Sequence, residues 1–260
     1  MNKYQSIHPE RQGHSITLWL TRPEVHNALN QTMIQEITTF FVEIETFSDI
    51  QLVILRGKGP SFCSGADLKW MHNAFGLSPE ENLQECKELS AMFATIYQSS
   101  KIVICALHGN VFGGGNGIVA VCDFAFCLSE TKFSLSETRI GMAAASITPY
   151  LLQKITASDL KDLVFTARSF LGEEAVRLGL ADRTFSSENE LNQHISELTN
   201  QILLNGRQAL KISKQLINRL VLQSLSGEME QIPAILANTR VSSEAREGFS
   251  AFLEKRKPNW

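Results

Sequence analysis

The chain has 260 residues, of which 43% are hydrophobic and 20% charged, with a formal net charge of −3 and a pI of about 6.1. A chain of this length can form one domain, or one domain with an additional segment, and it can bury a hydrophobic core without disulfides or structural metals. The mild acidity argues against nucleic acid or an anionic membrane as the main partner. The five cysteines form no CxxC pair and no zinc-ligand spacing, so we expect buried thiols in a reducing compartment.

The N-terminus has no signal-peptide pattern, and no apolar run reaches the ~18 residues that a membrane span needs. We therefore expect a soluble cytoplasmic protein that does not associate with membranes.

Short strands and helices alternate along the first half of the chain. Alternating apolar residues predict a strand over 15–20, a loop follows over 22–30, and a helix is predicted over 32–47. A short buried strand is predicted over 52–55, ended by glycines and a proline.

A second helix is predicted from Pro79 to about residue 99. Its apolar residues recur at intervals of three and four and form one stripe, made of Leu83, Cys86, Leu89, Phe93 and Ile96. Further strands are predicted over 102–107 and 124–128, with a short helix between them that begins at the glycine triplet 113–115.

From about Thr148 the pattern is mostly helical. The segment 172–180 predicts a helix that ends at Gly179. Three further helices are predicted over 191–204, 208–224 and 232–253. Near residue 190 the predicted pattern changes from mixed strands and helices to helices. This change divides the chain into a core, 1–190, and a helical region, 191–260.

Two glycine-rich turns are the most informative features of the sequence. The first is the segment 62–68, with the sequence FCSGADL, and the second is the triplet 113–115 before an apolar helix. Each turn can present a backbone N–H to a ligand oxygen, because glycine allows close approach and a helix start has unpaired N–H groups. The triplet lacks both the phosphate-loop and the GxGxxG pattern, which makes a nucleotide site improbable.

In their order and spacing the two turns resemble the crotonase (enoyl-CoA hydratase/isomerase) superfamily. Three further segments resemble motifs of that family: RPEVHNALN at 22–30, GEEAVRLGL at 172–180, and the closing segment 248–256. The resemblance implies an α/β fold, a spiral core of ββα units followed by a C-terminal helical oligomerisation region. It also implies an acyl-CoA thioester substrate, homotrimers or dimers of trimers, and no metal or redox cofactor, since coenzyme A is part of the substrate.

The resemblance also assigns roles to individual residues. It implies that the N–H groups of Ala66 and Gly114 form an oxyanion hole and that Glu137 is the catalytic acid. The implied CoA-binding residues are Val25, Ala28, Ser64, Ala66, Asp67, Leu68 and Gly114. Two-glutamate hydratases carry their other glutamate two residues after the triplet, where this chain has Gly117.

Each of these residues also has a simpler interpretation. Asp67 reads as a turn or helix-capping residue, Lys69 as a solvated lysine or a ligand of a CoA phosphate, and Asp123 as a structural acid. For Glu137, burial near an acyl pocket predicts a raised pKa, which suits proton transfer. Ser136 has no GxSxG context, so a serine hydrolase is improbable.

With Glu137 as the single matching carboxylate, three functions are compatible with the sequence. They are a hydratase, a Δ3-Δ2-enoyl-CoA isomerase, and a non-catalytic protein that binds acyl-CoA or associates with RNA; the acidic pI argues against the RNA version. The segments 65–71, 113–118 and 135–150 resemble the bacterial methylglutaconyl-CoA hydratases of leucine and isoprenoid catabolism. We therefore expect a hydratase acting on 3-methylglutaconyl-CoA. We also expect Gly117 to leave room for the branched, charged acyl group.

Overall fold

The computed structural model describes residues 4–222 and, beyond them, residues 247, 251, 254–256 and 258–259. The chain divides into two compact units, residues 1–196 and 197–260. The predicted helix over 232–253 and the segment 248–256 lie mostly outside the described residues. The predicted boundary at 190 and the oligomerisation role of 191–260 stay predictions.

The described residues contain nine strands in two sheets. The strands are β1 (Ile7–Gln12), β2 (Ser15–Leu20), β3 (Leu52–Gly57), β4 (Ile102–Leu107), β5 (Asn110–Phe112), β6 (Phe124–Leu128), β7 (Lys132–Ser134), β8 (Ser169–Leu171) and β9 (Arg183–Phe185). The larger sheet has the order β1-β2-β3-β4-β6-β9, and only β1 runs antiparallel in it. The smaller sheet has the order β5-β7-β8.

Nine α-helices are also present in this part of the chain. They are α1 (Gln31–Ile44), α2 (Leu68–Asn73), α3 (Pro79–Gln98), α4 (Gly114–Val121), α5 (Thr148–Leu151), α6 (Ala157–Thr166), α7 (Gly172–Leu178), α8 (Glu188–Leu203) and α9 (Arg207–Leu222). Short 3-10 helices cover Pro23–Val25, Ala74–Gly76 and Glu137–Ile140. None of the helices in the described residues is long and apolar enough to cross a membrane.

Local sequence signals explain where several helices begin and end. The Asn30 side chain accepts a hydrogen bond from the Met33 N–H and caps α1. Ser78 forms a capping box with Glu81 at the start of α3. Helix α7 ends, as predicted, at Gly179, whose φ of +87° is left-handed and favours glycine.

The structure corrects two predictions about secondary structure. The region after Thr148 is less helical than predicted, because β8 pairs with β7 and β9 pairs with β6. The apolar stripe of α3 is buried only in its C-terminal half: Phe93 and Ile96 are buried, but Cys86 is exposed and Leu83 is 55% exposed.

The hydrophobic core lies against the larger sheet. In β2 the alternate residues Ile16, Leu18 and Leu20 are fully buried, as the period of two requires. Helix α1 contributes one continuous apolar face to the same core, made of Met33, Ile34, Ile37, Phe40, Phe41 and Ile44. This packed layer fixes the ends of the strands from which the loops of the candidate site emerge.

The smaller sheet brings distant parts of the sequence together. Strands β5 and β7 run parallel, with Phe112 opposite Ser134. Because the chain leaves both strands at the same edge, the residues that follow them, Gly113 and the segment with Glu137, lie side by side.

Candidate active site

The Glu137 carboxyl group lies against the turn at Gly113. The Gly113 N–H donates to the Ser134 carbonyl at 3.0 Å, which ties the turn to the end of β7. A Cβ built on Gly113 would lie 3.4 Å from Glu137 Oε1, and the φ of Gly113 is +47°. A side chain at this turn would therefore be strained and would crowd the carboxylate.

The first glycine-rich turn is held against the second by main-chain pairing. Cys63 forms a parallel bridge with Val111: the Cys63 N–H donates to Asn110, and the Phe112 N–H donates to Cys63. This pairing places Gly65 next to the triplet: the Gly65 Cα would lie 3.6 Å from a Cβ built on Gly113. The structure thus places the two predicted turns in contact.

The two backbone donors that the sequence singled out are both unpaired in the described part of the chain. Neither the Ala66 N–H nor the Gly114 N–H donates to any residue that the structure describes. Gly114 is the first residue of α4, where a helix leaves its N–H groups without an intrahelical acceptor. Both groups are available to a ligand oxygen, and their joint action on one oxygen stays a prediction.

Glu137 is the carboxyl group next to these donors. Its Oε2 atom is buried and accepts no hydrogen bond within the described part of the chain. Burial raises the pKa of the Glu137 carboxyl above its usual range, as the sequence analysis expected. A carboxyl group with this property can take up or release a proton closer to neutral pH.

The predicted CoA-binding segments come together around the first turn. The Leu29 N–H donates to the Gly65 carbonyl at 2.7 Å, and the Asp67 N–H donates to the Leu29 carbonyl at 2.8 Å. The Ser64 hydroxyl donates to the Val25 carbonyl at 3.3 Å. The loop 22–30 therefore runs beside the turn that holds Ala66.

The outer residues of this region differ in their exposure. Ala28 is buried, whereas the Leu68 side chain is 77% exposed. The roles of Val25, Ala28, Ser64, Ala66, Asp67, Leu68 and Gly114 in CoA binding stay predictions.

An ion pair that the sequence analysis missed fixes this region. Arg22 Nη2 contacts Asp67 Oδ2 at 2.8 Å, and Arg22 Nη1 donates to the Ala28 carbonyl at 2.6 Å. Asp67 also caps α2 by accepting the N–H groups of Lys69 and Trp70. Burial raises the pKa of Asp67, but the bonds from Arg22 and the two N–H groups outweigh it, so the net pKa is lowered. Asp67 thus has the structural role that its turn position predicted.

The space next to Gly117 is filled, which contradicts the expected room for an acyl group. A Cβ built on Gly117 would lie 2.3 Å from Ile147 Cγ2 and 2.7 Å from Phe93 Cε1. Both side chains are buried. The position where two-glutamate hydratases carry a carboxylate is therefore packed with apolar side chains. Phe93 and Ile147 are distant in sequence, so no local pattern could have revealed this contact.

Asn116 is a second residue that the sequence analysis overlooked. It is fully buried, and its Nδ2 donates to the carbonyls of Val111 and Ser134 at 3.1 and 2.9 Å. It thereby holds the ends of β5 and β7 together beneath the triplet. Asp123 has the predicted structural role, since its Oδ2 accepts the Val103 N–H at 2.7 Å.

Four of the five cysteines match the prediction of buried thiols. All five thiols are free, and only Cys86 is exposed. No group of three or more His, Cys, Asp or Glu side chains within the described residues is arranged to hold a metal ion.

Comparison with known proteins agrees with this geometry. A family model described as enoyl-CoA hydratase/isomerase matches residues 10–260. The chain is 28% identical to a crotonyl-CoA hydratase of Syntrophomonas wolfei, over 99% of this chain and 98% of that protein. It is also 28% identical to a peroxisomal Delta(3,5)-Delta(2,4)-dienoyl-CoA isomerase of Arabidopsis thaliana, over 100% and 98% of the two chains.

Among solved structures, an enoyl-CoA hydratase/isomerase from Marinobacter aquaeolei superposes with a TM-score of 0.93 at 29% identity, covering 98% of each chain. This agreement covers the α/β core and almost the full length of the chain. The protein is therefore an enzyme of the enoyl-CoA hydratase/isomerase family, the crotonase superfamily.

Proposed function

We propose that this enzyme adds water across the double bond of an enoyl-CoA thioester, with Glu137 as the proton-transferring group. One observation carries the proposal: the Glu137 carboxyl lies against Gly113, beside the turns that hold Ala66 and Gly114. Within the described residues, Glu137 Oε2 and the N–H groups of Ala66 and Gly114 have no hydrogen-bond partner. Two such donors at the thioester oxygen would stabilise the enolate that forms during the reaction.

In this mechanism one carboxyl group serves both proton transfers. The Glu137 carboxylate takes a proton from water while the water oxygen bonds to the β-carbon. The electrons of the double bond move to the thioester oxygen, and the resulting enolate is held by the N–H groups of Ala66 and Gly114. The Glu137 carboxyl then returns its proton to the α-carbon, the thioester carbonyl re-forms, and H and OH have added to the same face.

These steps need no further reactant. We propose that coenzyme A enters as part of the substrate and that no metal or redox cofactor takes part.

We infer that the substrate is a branched acyl group of the 3-methylglutaconyl type. Three sequence segments support this inference, as described above.

Isomerisation between 3-enoyl and 2-enoyl thioesters is the second candidate. The packing around Gly117 favours it, because Phe93 and Ile147 occupy the place of a water-activating carboxylate. Moving a proton between two carbons of the substrate requires only one base, and Glu137 can supply it. The Arabidopsis relative, which is named an isomerase, adds to this possibility.

Kinetics with three thioesters test these proposals. Loss of the absorbance of the conjugated double bond reports hydration of crotonyl-CoA or 3-methylglutaconyl-CoA, and a gain reports isomerisation of a 3-enoyl-CoA. We expect 3-methylglutaconyl-CoA to be hydrated fastest. Faster hydration of crotonyl-CoA would contradict the inferred substrate, and isomerisation without hydration would select the second candidate.

The role of Glu137 is tested in the same assays. Glu137→Gln keeps the shape of the side chain and removes its proton, so turnover should fall by about 10²–10⁴-fold. Glu130 is exposed and serves as the matched control, because Glu130→Gln makes the same chemical change away from the site. Turnover near the wild-type rate in Glu137→Gln would remove Glu137 from the mechanism.

We also propose that the protein forms a homotrimer or a dimer of trimers through the region 191–260. In the described part of that region, Ile217 and Val221 lie one turn apart on α9 and are 60% and 53% exposed. An exposed apolar stripe of this kind is typical of a contact between subunits.

A further inference from the structure

A small pocket lies at the carboxyl ends of β2, β3 and β4. Its floor is one row across these parallel strands, because the register places Trp19 opposite Arg56 and Arg56 opposite Ala106. Lys58 and His108 follow two residues after Arg56 and Ala106, and both line the same pocket.

The pocket is separate from the candidate active site. Its volume is about 190 Å³. Since a water molecule takes roughly 30 Å³ of the liquid, this is room for about six waters. Glu188 and Leu191, from the first turn of α8, complete its wall. None of the residues assigned above to the thioester or to coenzyme A lines it.

The Arg56 guanidinium lines this pocket. It makes no hydrogen bond or ion pair with any residue in the described ranges, and it contacts the Trp19 ring at 5.7 Å from the centroid. Burial lowers the pKa of Arg56, and the charge of Glu188 offsets this only in part. A guanidinium presents a planar set of N–H groups that fits two oxygens of a carboxylate or a phosphate.

A second cation lies beside it on an aromatic surface. Lys58 Nζ is 3.6 Å from the centroid of the Trp19 ring, a cation–π contact. The indole N–H of Trp19 donates to Glu10 at 3.0 Å, which fixes the ring. His108 Nε2 donates to the Gly59 carbonyl at 2.9 Å and holds the opposite wall.

We propose that this pocket binds a small oxyanion, a carboxylate or phosphate group, with Arg56 as its bidentate ligand and Lys58 as the second cation. Two cations and one carboxylate, Glu188, line the pocket, so it carries an excess of positive charge. When the anion binds, the Lys58 ammonium leaves the Trp19 ring and contacts the anion instead. The pocket shares no lining residue with the site around Glu137.

Trp19 provides the signal for a direct test. The chain has three tryptophans, and a Trp70→Phe, Trp260→Phe background leaves Trp19 as the only indole. Sodium phosphate and sodium acetate are titrated separately at constant ionic strength while Trp19 emission is recorded. We expect a saturable change with at least one of them; a response to phosphate alone identifies a phosphate group, and a response to acetate alone identifies a carboxylate.

Four variants of this background test which residues bind the anion. Arg56→Gln should weaken binding by roughly 10- to 100-fold, the range expected for lost hydrogen bonds to a charged group. Lys58→Ala, at an exposed position that tolerates change, should weaken it as well, and Glu188→Gln should strengthen it. Lys161→Gln removes one positive charge at an exposed position on α6 and should have no effect. The absence of a saturable change with both anions, or equal affinities in Arg56→Gln and Lys161→Gln, would overturn the proposal.

Discussion

Replacing Gly117 with alanine tests the packing that distinguishes this site from that of a two-glutamate hydratase. The new methyl group would lie 2.3 Å from Ile147 Cγ2 and 2.7 and 2.8 Å from Phe93 Cε1 and Cζ. Because all three short contacts are with buried side chains, the destabilisation by overpacking should lie near the upper end of its usual range, about 3 kcal/mol. Alanine regains about 1 kcal/mol over glycine inside a helix. We therefore expect the free energy of unfolding to fall by about 2 kcal/mol.

Urea denaturation followed by circular dichroism measures this change. Gly76→Ala is the matched control, because a Cβ built on Gly76 meets no atom within 4 Å. We expect the control to stay within about 0.5 kcal/mol of the wild type. Ile147→Ala should destabilise the Gly117→Ala variant less than it destabilises the wild type, since it removes the atom of the shortest contact. Unchanged stability in Gly117→Ala, or the same loss in Gly76→Ala, would refute this account of the packing.

Three further predictions concern charge and assembly. Because the Glu137 carboxylate is the base, kcat/KM should fall as the pH is lowered through the raised pKa of Glu137, which lies above the usual value of about 4.3. The same fall of kcat/KM at low pH in Glu137→Gln would contradict this. Asp67→Asn keeps the cap of α2 but loses the charged pair with Arg22, so we expect about 2 kcal/mol less stability at neutral pH. Because the pKa of Asp67 is lowered in the folded protein, this difference should begin to shrink as the pH falls below about 4, the usual value, and should vanish only below the lowered pKa. A difference independent of pH would contradict it. Light scattering should give a mass of at least three times the chain mass of 29.0 kDa. Ile217→Glu should reduce the measured mass, whereas Gln215→Glu, at another exposed position on α9, should not. A monomer in the wild type would contradict the proposed trimer.

Elements with long or clear apolar patterns were predicted from the sequence. The strands over 15–20, 102–107 and 124–128 match β2, β4 and β6, and the helix from Pro79 matches α3. Strand β1 was not predicted, because its sequence IHPERQ is mostly polar and lies at a sheet edge. The three-residue strands β5, β7, β8 and β9 are too short to show a period, and only their non-local partners define them.

The candidate site was predictable where local sequence determines local shape. Glycine-rich turns indicated the positions of Ala66 and Gly114, and family resemblance indicated Glu137. The contacts that complete the site are non-local: Arg22 reaches Asp67 across 45 residues, and Gly117 meets Phe93 and Ile147 from two other elements. No periodicity encodes such pairs, so the expected space at Gly117 was wrong.

A crystal structure with an unreactive acyl-CoA analogue is the most direct test of the central claim, that Ala66, Gly114 and Glu137 act on one thioester. We predict that the thioester oxygen lies about 2.7–3.1 Å from both N–H nitrogens, with the Glu137 carboxyl next to the α-carbon. A thioester oxygen that is bound elsewhere, or a Glu137 side chain turned away from the α-carbon, would contradict the account.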